Sequence, residues 1–364
     1  MARVLILALV ILIAGSTAFA ELSFNGYYEN TLAGVLKRDG QALGGDLNRL
    51  RLRLGYEFSE NIRLQLEPEY NLFLKSADLP IAGVSNLDRL VFDRAFIKIN
   101  FPQADLTVGR QRIAWGVGYL WNPTDVFNPF TLSFAVEEEE EAEPEAIRLE
   151  VPLGEAAGID TYIVTNNKWE ETKKGIRGRT NLGMFDLSAS YVDLGSGGFQ
   201  LGCDTVGELF DFGVRGEIAM ISPANTDRYF QSVLGWNYSL ENGWGLDAEY
   251  FLNGLGKRNK NDYDWDALIS GEVSQLGMDY LYFGTNKTLD EISQVRFSIL
   301  LNADDSSFLF YPTYSRNVLE NLDMSLEALI HTGAEGTDFN PSASQDSSGF
   351  MSSNLALIRA RYSF

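Results

Sequence analysis

One cysteine, Cys203, and one histidine, His331, stand in 364 residues. A lone thiol closes no internal disulfide, and a lone imidazole with no second Cys or His beside it offers no metal-ligating set of the usual spacing. There is no C-x-x-C-H, so the chain attaches no haem, and no cofactor is expected. Both residues read as incidental strand or lumen positions. Positive charge is also scarce: 29 Lys and Arg face 50 Asp and Glu, a net charge of −21. That balance repels polyanions and argues against nucleic acid as a partner. Long apolar runs are missing too. After Ala20 no stretch approaches the ~20 residues a membrane helix needs, so a membrane could be crossed only by strands. Lipid satisfies no open sheet edge, and such strands must therefore close into a barrel.

The one apolar run lies at the start, where Arg3 precedes Val4–Ala14 and Ala18-Phe19-Ala20 supplies a small-x-small cleavage pattern. An apolar core of about 11 residues is too short for a bilayer core of roughly 30 Å. Met1–Ala20 is expected to be a secretory signal peptide that is cleaved, leaving 21–364 as the mature chain. Losing Arg3 with it moves the charge from −21 to −22. Glu21 rather than Cys follows the cut, which argues against a lipoprotein anchor.

What the mature sequence has in quantity is alternation, in segments of about 9 to 14 residues between turn residues. Leu50, Leu52, Leu54, Tyr56 and Phe58 point one way while Arg49, Arg51, Arg53 and Glu57 point the other. After Ser59-Glu60-Asn61 the pattern resumes with Ile62, Leu64, Leu66, Tyr70 and Leu72 against Arg63, Gln65, Glu67, Glu69 and Asn71. One hairpin register sets Phe58 opposite Ile62, Tyr56 opposite Leu64 and Leu54 opposite Leu66. The same register sets Glu57 opposite Arg63, Arg53 opposite Glu67 and Arg51 opposite Glu69, so every cross-strand charge pair is complementary. A one-residue slip would carry each Arg to the apolar face.

Short connections (101–105, 152–156, 182–184, 239–243, 288–291, 319–322) alternate with long ones (36–46, 76–87, 116–145, 254–275, 333–353). The expected fold is all-β: a single transmembrane antiparallel up-and-down barrel of about 18 strands, with 16 the nearest alternative. Short turns would face the periplasm and long loops the outside, and an even strand number places both termini in the periplasm. Tyr56, Trp236, Tyr238, Trp244 and Tyr362 suit interfacial girdles.

The last strand places Ala356, Ile358, Ala360, Tyr362 and Phe364 on one face, with Leu357, Arg359, Arg361 and Ser363 on the other. Taken alone it could be an amphipathic edge strand of a soluble protein. Its aromatic end resembles the C-terminal assembly signal of bacterial outer-membrane barrels. That resemblance implies the outer membrane of a Gram-negative cell and recognition of Phe364 by the barrel-assembly machinery.

Alternation sends Arg49, Arg51, Arg53, Arg359 and Arg361 inward on neighbouring strands, and Arg148, Arg177, Arg179, Arg215 and Arg296 inward elsewhere. Glu29, Glu67, Glu69, Glu150, Glu217, Glu249 and Glu327 are the inward carboxylates. Opposed charges of this kind can set up a transverse field that sorts polar solutes, neutralise one another and stiffen the wall, or do both. Arg110 and Arg112 fall on the Leu106 and Val108 face, and a bulge at Gly109 is expected to turn them into the pore.

The segment from Gly109 to Gly116, G-R-Q-R-I-A-W-G, continues through Trp121-Asn122-Pro123-Thr124-Asp125-Val126-Phe127-Asn128-Pro129-Phe130. Pro and Asn favour a compact loop there. Over these 20 or so residues the sequence is similar to porin-type outer-membrane proteins of the alginate-export and phosphate-selective kind. The resemblance implies a monomeric or homotrimeric diffusion channel for small polar solutes. It also implies a third outer loop, 116–145, folded inward, with Trp115, Trp121, Asn122, Pro123, Asp125, Asn128 and Pro129 at the constriction. A plain packed outer loop is the alternative.

Glu137–Glu141, Glu143 and Glu145 near the entrance suggest a mild cation preference, or divalent ions bridging surface lipopolysaccharide. Asp262, Asp264 and Asp266 have calcium-loop spacing, but Ala267 stands where Gly is required, so a solvated loop suffices. Two other functions remain open: a barrel enzyme of the lipase or deacylase kind, and a structural barrel around a partner protein. The first needs a base beside a nucleophile, and only His331 is available, with Ser325 too far along the same strand.

Overall fold

The computed structural model describes residues 21–75, 89–127, 144–166, 168–224, 226–346 and 351–364. Met1–Ala20, Asn128, Pro129, Glu137–Glu141 and Glu143 lie outside the described residues. The first nine strands are β1 (Glu21–Leu36), β2 (Ala42–Ser59), β3 (Ile62–Lys75), β4 (Arg89–Phe101), β5 (Ala104–Arg110), β6 (Glu145–Pro152), β7 (Gly158–Val164), β8 (Lys173–Leu182) and β9 (Phe185–Gly195). The second nine are β10 (Gly198–Leu209), β11 (Phe212–Ser222), β12 (Tyr229–Ser239), β13 (Trp244–Asn253), β14 (Asp279–Asp290), β15 (Ser293–Asn302), β16 (Ser307–Leu319), β17 (Leu322–Thr332) and β18 (Asn354–Ser363). Each strand pairs antiparallel with the next, and β18 pairs with β1 to close an 18-stranded barrel.

The expected β2–β3 hairpin forms with Tyr56 opposite Leu64, Leu54 opposite Leu66, Glu57 opposite Arg63 and Arg51 opposite Glu69. Near the turn the register shifts, and Ser59 rather than Phe58 faces Ile62. The connection expected over 36–46 is shorter than the alternation suggests, because β2 already begins at Ala42. There Gly34 pairs with Gly44 and Ala33 with Gly45, so the ladder continues where side chains are too small to carry a pattern.

One rim carries connections of two to five residues, including 60–61, 210–211 and 320–321, together with the start of β1 and the end of β18. Phe210 and Asp211 both have positive φ, 49° and 67°, as a two-residue turn matched to strand twist demands. The opposite rim carries the strand ends from which the long segments 111–144, 254–278 and 333–353 depart. Ring closure is fastened at the chain's end. The Phe364 N–H donates to the Gly26 carbonyl and the Gly26 N–H to the Phe364 carbonyl, both at 3.0 Å, with the Phe364 and Phe24 ring centroids 5.9 Å apart. A Cβ on Gly26 would lie 2.4 Å from the Arg51 carbonyl oxygen, so this seat requires glycine.

Large apolar side chains cover the outside: Leu22, Leu32, Leu326, Phe230, Phe283 and Ile358 are all exposed. A band of this kind is at rest only in hydrocarbon, and the alternate positions, turned inward, carry the charges. Leu326 is 52% exposed; Leu326→Arg is expected to destabilise the fold by about 2–4 kcal/mol, as for a basic group placed at the bilayer midplane. Equilibrium denaturant titration in vesicles measures it, and an unchanged midpoint would remove this face from lipid.

Candidate functional site

The lumen wall formed by β17, β18, β1, β2, β3 and β4 carries a continuous charge band. Arg361 Nη2 lies 2.6 Å from Glu29 Oε2, and Arg49 Nη1 lies 3.4 Å from Glu29 Oε1. Arg359 Nε is 3.4 Å from Glu327 Oε1. Arg51 Nη2 contacts Glu67 at 2.8 Å and also the Asp93 carboxylate, and its Nη1 is 3.8 Å from Glu69. The Arg361 guanidinium sits over the Tyr27 ring at 4.4 Å. Arg49, Arg51, Glu29, Glu67, Glu69 and Asp93 are buried by one another, whereas Arg53, 3.7 Å from Glu67, is 39% exposed.

Asp93 is the member that alternation misses. Strict pleating would place it with Ala95 and Ile97, which pair with the outward Leu66 and Leu64. The register shifts between Glu67 and Pro68, so that Asp93 and Arg94 are both carried to the inner side, where Asp93 meets Arg51. Pro68 has no N–H to give the ladder, and a proline inside a strand is the signal that could have marked the bulge.

Elsewhere on the wall, Arg148 Nη2 is 2.6 Å from Glu150 and 3.6 Å from Asp160. Arg177 reaches Asp204 at 3.0 Å. Arg296 stands opposite Asn286 and Thr313, and it is exposed. Arg110 goes the other way. The row Leu54, Leu66, Ala95, Arg110, Glu145 is paired strand to strand with no register shift at β4–β5 or β5–β6. Arg110 therefore stays on the outward Leu106–Val108 face, donating to the Phe92 carbonyl at 2.7 Å and lying 3.8 Å from Glu145. The expected bulge at Gly109 does not occur. Gly109 instead takes φ 129°, and a Cβ there would be 2.2 Å from the Ala95 carbonyl. Arg112 lies beyond the strand end and is exposed.

From the end of β5 the chain runs to the wall at β11 and β13, six and eight strands further round the ring. Two buried carboxylates receive it. Glu217 accepts from the backbone N–H groups of Val117 at 2.9 Å, Gly118 at 3.4 Å and Thr124 at 2.5 Å. Glu249 accepts from Tyr119 at 2.6 Å, Leu120 at 2.9 Å and Trp121 at 3.0 Å, and from Arg215 Nε at 3.0 Å. Consecutive amides converge on one carboxylate only where the backbone curls tightly, and two glycines allow it. Gly116 has φ 93°, with a would-be Cβ 2.7 Å from Glu217 Oε2, and a Cβ on Gly118 would lie 1.8 Å from the Trp121 carbonyl oxygen.

Side chains complete the attachment. Trp121, 1% exposed, stacks on Phe251 with centroids 5.0 Å apart, and Trp115 packs edge-on against Tyr162 at 5.3 Å. Asp125 accepts from the Trp115 and Phe127 N–H groups at 3.3 and 3.0 Å. Gln200 Nε2 donates to the Pro123 and Thr124 carbonyls at 3.1 and 3.2 Å. Asn122, Pro123 and Asp125 face a cavity discussed below. The sequence singles out this segment but not its receptors: Glu217 and Glu249 read there as generic pore-lining carboxylates. Their partners are about a hundred residues away in sequence, beyond the reach of any local pattern.

Among the described residues no group of three or more His, Cys, Asp and Glu side chains could hold a metal. Asp264 caps a short helix, α1 (Trp265–Ser270), by accepting from the Ala267 N–H at 3.0 Å. His331 and Ser325 are six residues apart on β17, about 20 Å at strand rise. Cys203 is exposed on β10.

No family model and no curated protein sequence matches the chain. Solved structures do match. Acinetobacter baumannii OccAB4 superposes with a TM-score of 0.62 at 11% identity, over 96% of this chain and 99% of that one. Pseudomonas aeruginosa OccK5 (OpdH) gives 0.60 at 10% identity over 94% and 98%. A triple mutant of the Rhodopseudomonas blastica porin gives 0.51 at 13% identity over 94% and 100%. At such identities the likeness is one of fold, and the fold this chain shares with them is the closed antiparallel barrel of an outer-membrane porin.

Proposed function

We propose that this protein is an outer-membrane channel for passive diffusion of small polar solutes, mildly cation-preferring and narrowed by the segment 116–145. The observation that carries the reading is the set of six backbone N–H groups, from Val117 to Thr124, bonded to Glu217 and Glu249 on the far wall. A barrel of 18 strands is wide enough to pass solute, and on this reading the strap anchored within it narrows the opening. The apolar exterior, the charged interior and the likeness to porin structures support the same reading.

On this reading Met1–Ala20 is removed on export, Phe364 is what the assembly machinery recognises, lipopolysaccharide surrounds the long-loop rim, and the channel is a monomer or homotrimer. The G-R-Q-R-I-A-W-G strand end resembles that of alginate-export and phosphate-selective porins. The acidic excess points to a different cargo, because a polyanion or phosphate path needs a basic lining. Cation preference follows from the mature charge of −22, the −21 of the sequence less Arg3. The measurement is the reversal potential of the purified protein in a planar bilayer across a KCl gradient. The expected sign is that of K⁺ carrying more current than Cl⁻; the opposite sign ends the claim of cation preference.

A further inference from the structure

Above the strap, on the long-loop side, lies a cavity of about 540 Å³. The strap supplies its floor through Trp121, Asn122, Pro123 and Asp125, β10–β13 supply its wall, and the loop between β13 and β14 covers it through Leu268 and residues 271–275. Its volume falls within the roughly 300–1,000 Å³ of small-molecule sites. The chemistry of its lining differs from that of the rest of the lumen. No Lys or Arg lines it among the described residues, although Arg bands cover the wall elsewhere.

What lines it instead is a group of carboxamides beside apolar surface. Gln200 has both amide hydrogens directed to the strap carbonyls, which leaves its Oε1 as an acceptor. Gln231 Nε2 donates to Asn253 Oδ1 at 3.1 Å, again leaving an amide oxygen. Asn253 is spent on the Gln275 and Gly277 carbonyls at 3.4 and 3.1 Å. Gln275 is 7% exposed, and its Nε2 has no hydrogen-bond partner among the described residues. A buried amide donor without a partner is costly, and turning the Gln275 side chain toward the cavity it lines would let a bound solute or water complete it. Ile221, Leu255 and Leu268 give the apolar surface between these polar groups.

We infer that this vestibule is a binding site for an uncharged polyhydroxylated solute of mono- or disaccharide size. Such a molecule offers an oxygen to Gln275 Nε2, hydroxyl hydrogens to Gln200 and Gln231, and C–H faces to the aliphatic wall. An anionic solute finds no cation there, and it meets Asp125 and Glu272 instead. The inference rests on the channel reading above and deepens it by naming a solute class and an order of encounter: binding first, then passage beneath the strap.

The test is block of ionic current in a planar bilayer by maltose, and separately by gluconate and by glucosamine. Maltose added on the long-loop side is expected to reduce the current in a saturable way, and gluconate at the same concentration to leave it unchanged. The Gln275 side chain makes no hydrogen bond among the described residues, so Gln275→Leu is expected to keep the open-channel conductance while raising the half-blocking concentration of maltose about tenfold, the equivalent of one lost hydrogen bond. Maltose block of equal strength in Gln275→Leu overturns the site, as does absence of maltose block in a channel that conducts KCl. Block by gluconate or glucosamine in place of maltose overturns the solute class. A preparation that conducts no ions at all counts against the channel itself and is thereby distinguished from failure of the vestibule.

Discussion

Replacing both Glu217 and Glu249 with Ala is expected to raise single-channel conductance severalfold while leaving the barrel folded. Six backbone N–H groups and Arg215 Nε converge on these two carboxylates. A hydrogen bond to a charged group contributes about 1.5–3 kcal/mol net, so the strap loses far more than thermal energy when both acceptors go. Trp121 against Phe251, Trp115 against Tyr162 and Tyr119 against Tyr282 remain as ring contacts, and Gln200 still reaches the Pro123 and Thr124 carbonyls, but the amides from Val117 to Trp121 lose their carboxylate acceptors. The released amides can be hydrated by lumen water, which is why the strands themselves should survive. Gln at both positions keeps a carbonyl acceptor without the charge, and it should give a conductance between wild type and Ala. Bilayer recordings decide the matter: a double Ala variant with wild-type conductance means that the strap does not set the opening.

The second large effect belongs to the opposite wall. Arg51→Met is expected to cost about 3–5 kcal/mol of stability, the usual penalty for breaking a buried ion pair from one side. Arg51 is wholly buried between Glu67, Asp93 and Glu69. Removing it brings three carboxylates together with only Arg49, Arg53 and Arg94 near them. Adding Glu67→Gln and Asp93→Asn to Arg51→Met removes the stranded charges and should recover much of the loss, since replacing a buried ion cluster by neutral groups of similar shape is often tolerated. Urea midpoints of the refolded proteins in detergent give both numbers. If Arg51→Met unfolds at the wild-type midpoint, the band is solvated and carries no structural load.

The difference between these two sites shows how far the sequence could be read. The band on β2 and β3 follows from neighbouring hairpin strands, so Arg51 opposite Glu69 and Glu57 opposite Arg63 are written into a stretch of some twenty-five residues. Phe58 was out by one because the ladder shifts beside the turn, and turns are where a pleat loses its strict period. Asp93 is not legible as a member of the band because Pro68 interrupts the neighbouring strand, an effect that cannot be seen on β4 itself. Arg110 was expected to turn inward on the strength of Gly109. The glycine there serves close backbone approach to Ala95, and the pairing passes it without a shift.

Alternation, turn residues and the lack of any long apolar run pointed to a closed antiparallel barrel of about 18 strands, with 16 the alternative, and to the inward face of strands whose pleat is unbroken. Each of those is a local property, because successive residues of a pleated strand must point to opposite faces and lipid accepts only one kind. Tertiary structure alone decided that the segment after β5 crosses to Glu217 and Glu249, 93 and 130 residues from Thr124 and Tyr119. It alone left Gln275 with a buried donor over an amide-lined cavity. Those contacts exist only once the ring has closed, when strands far apart in sequence face each other across one lumen.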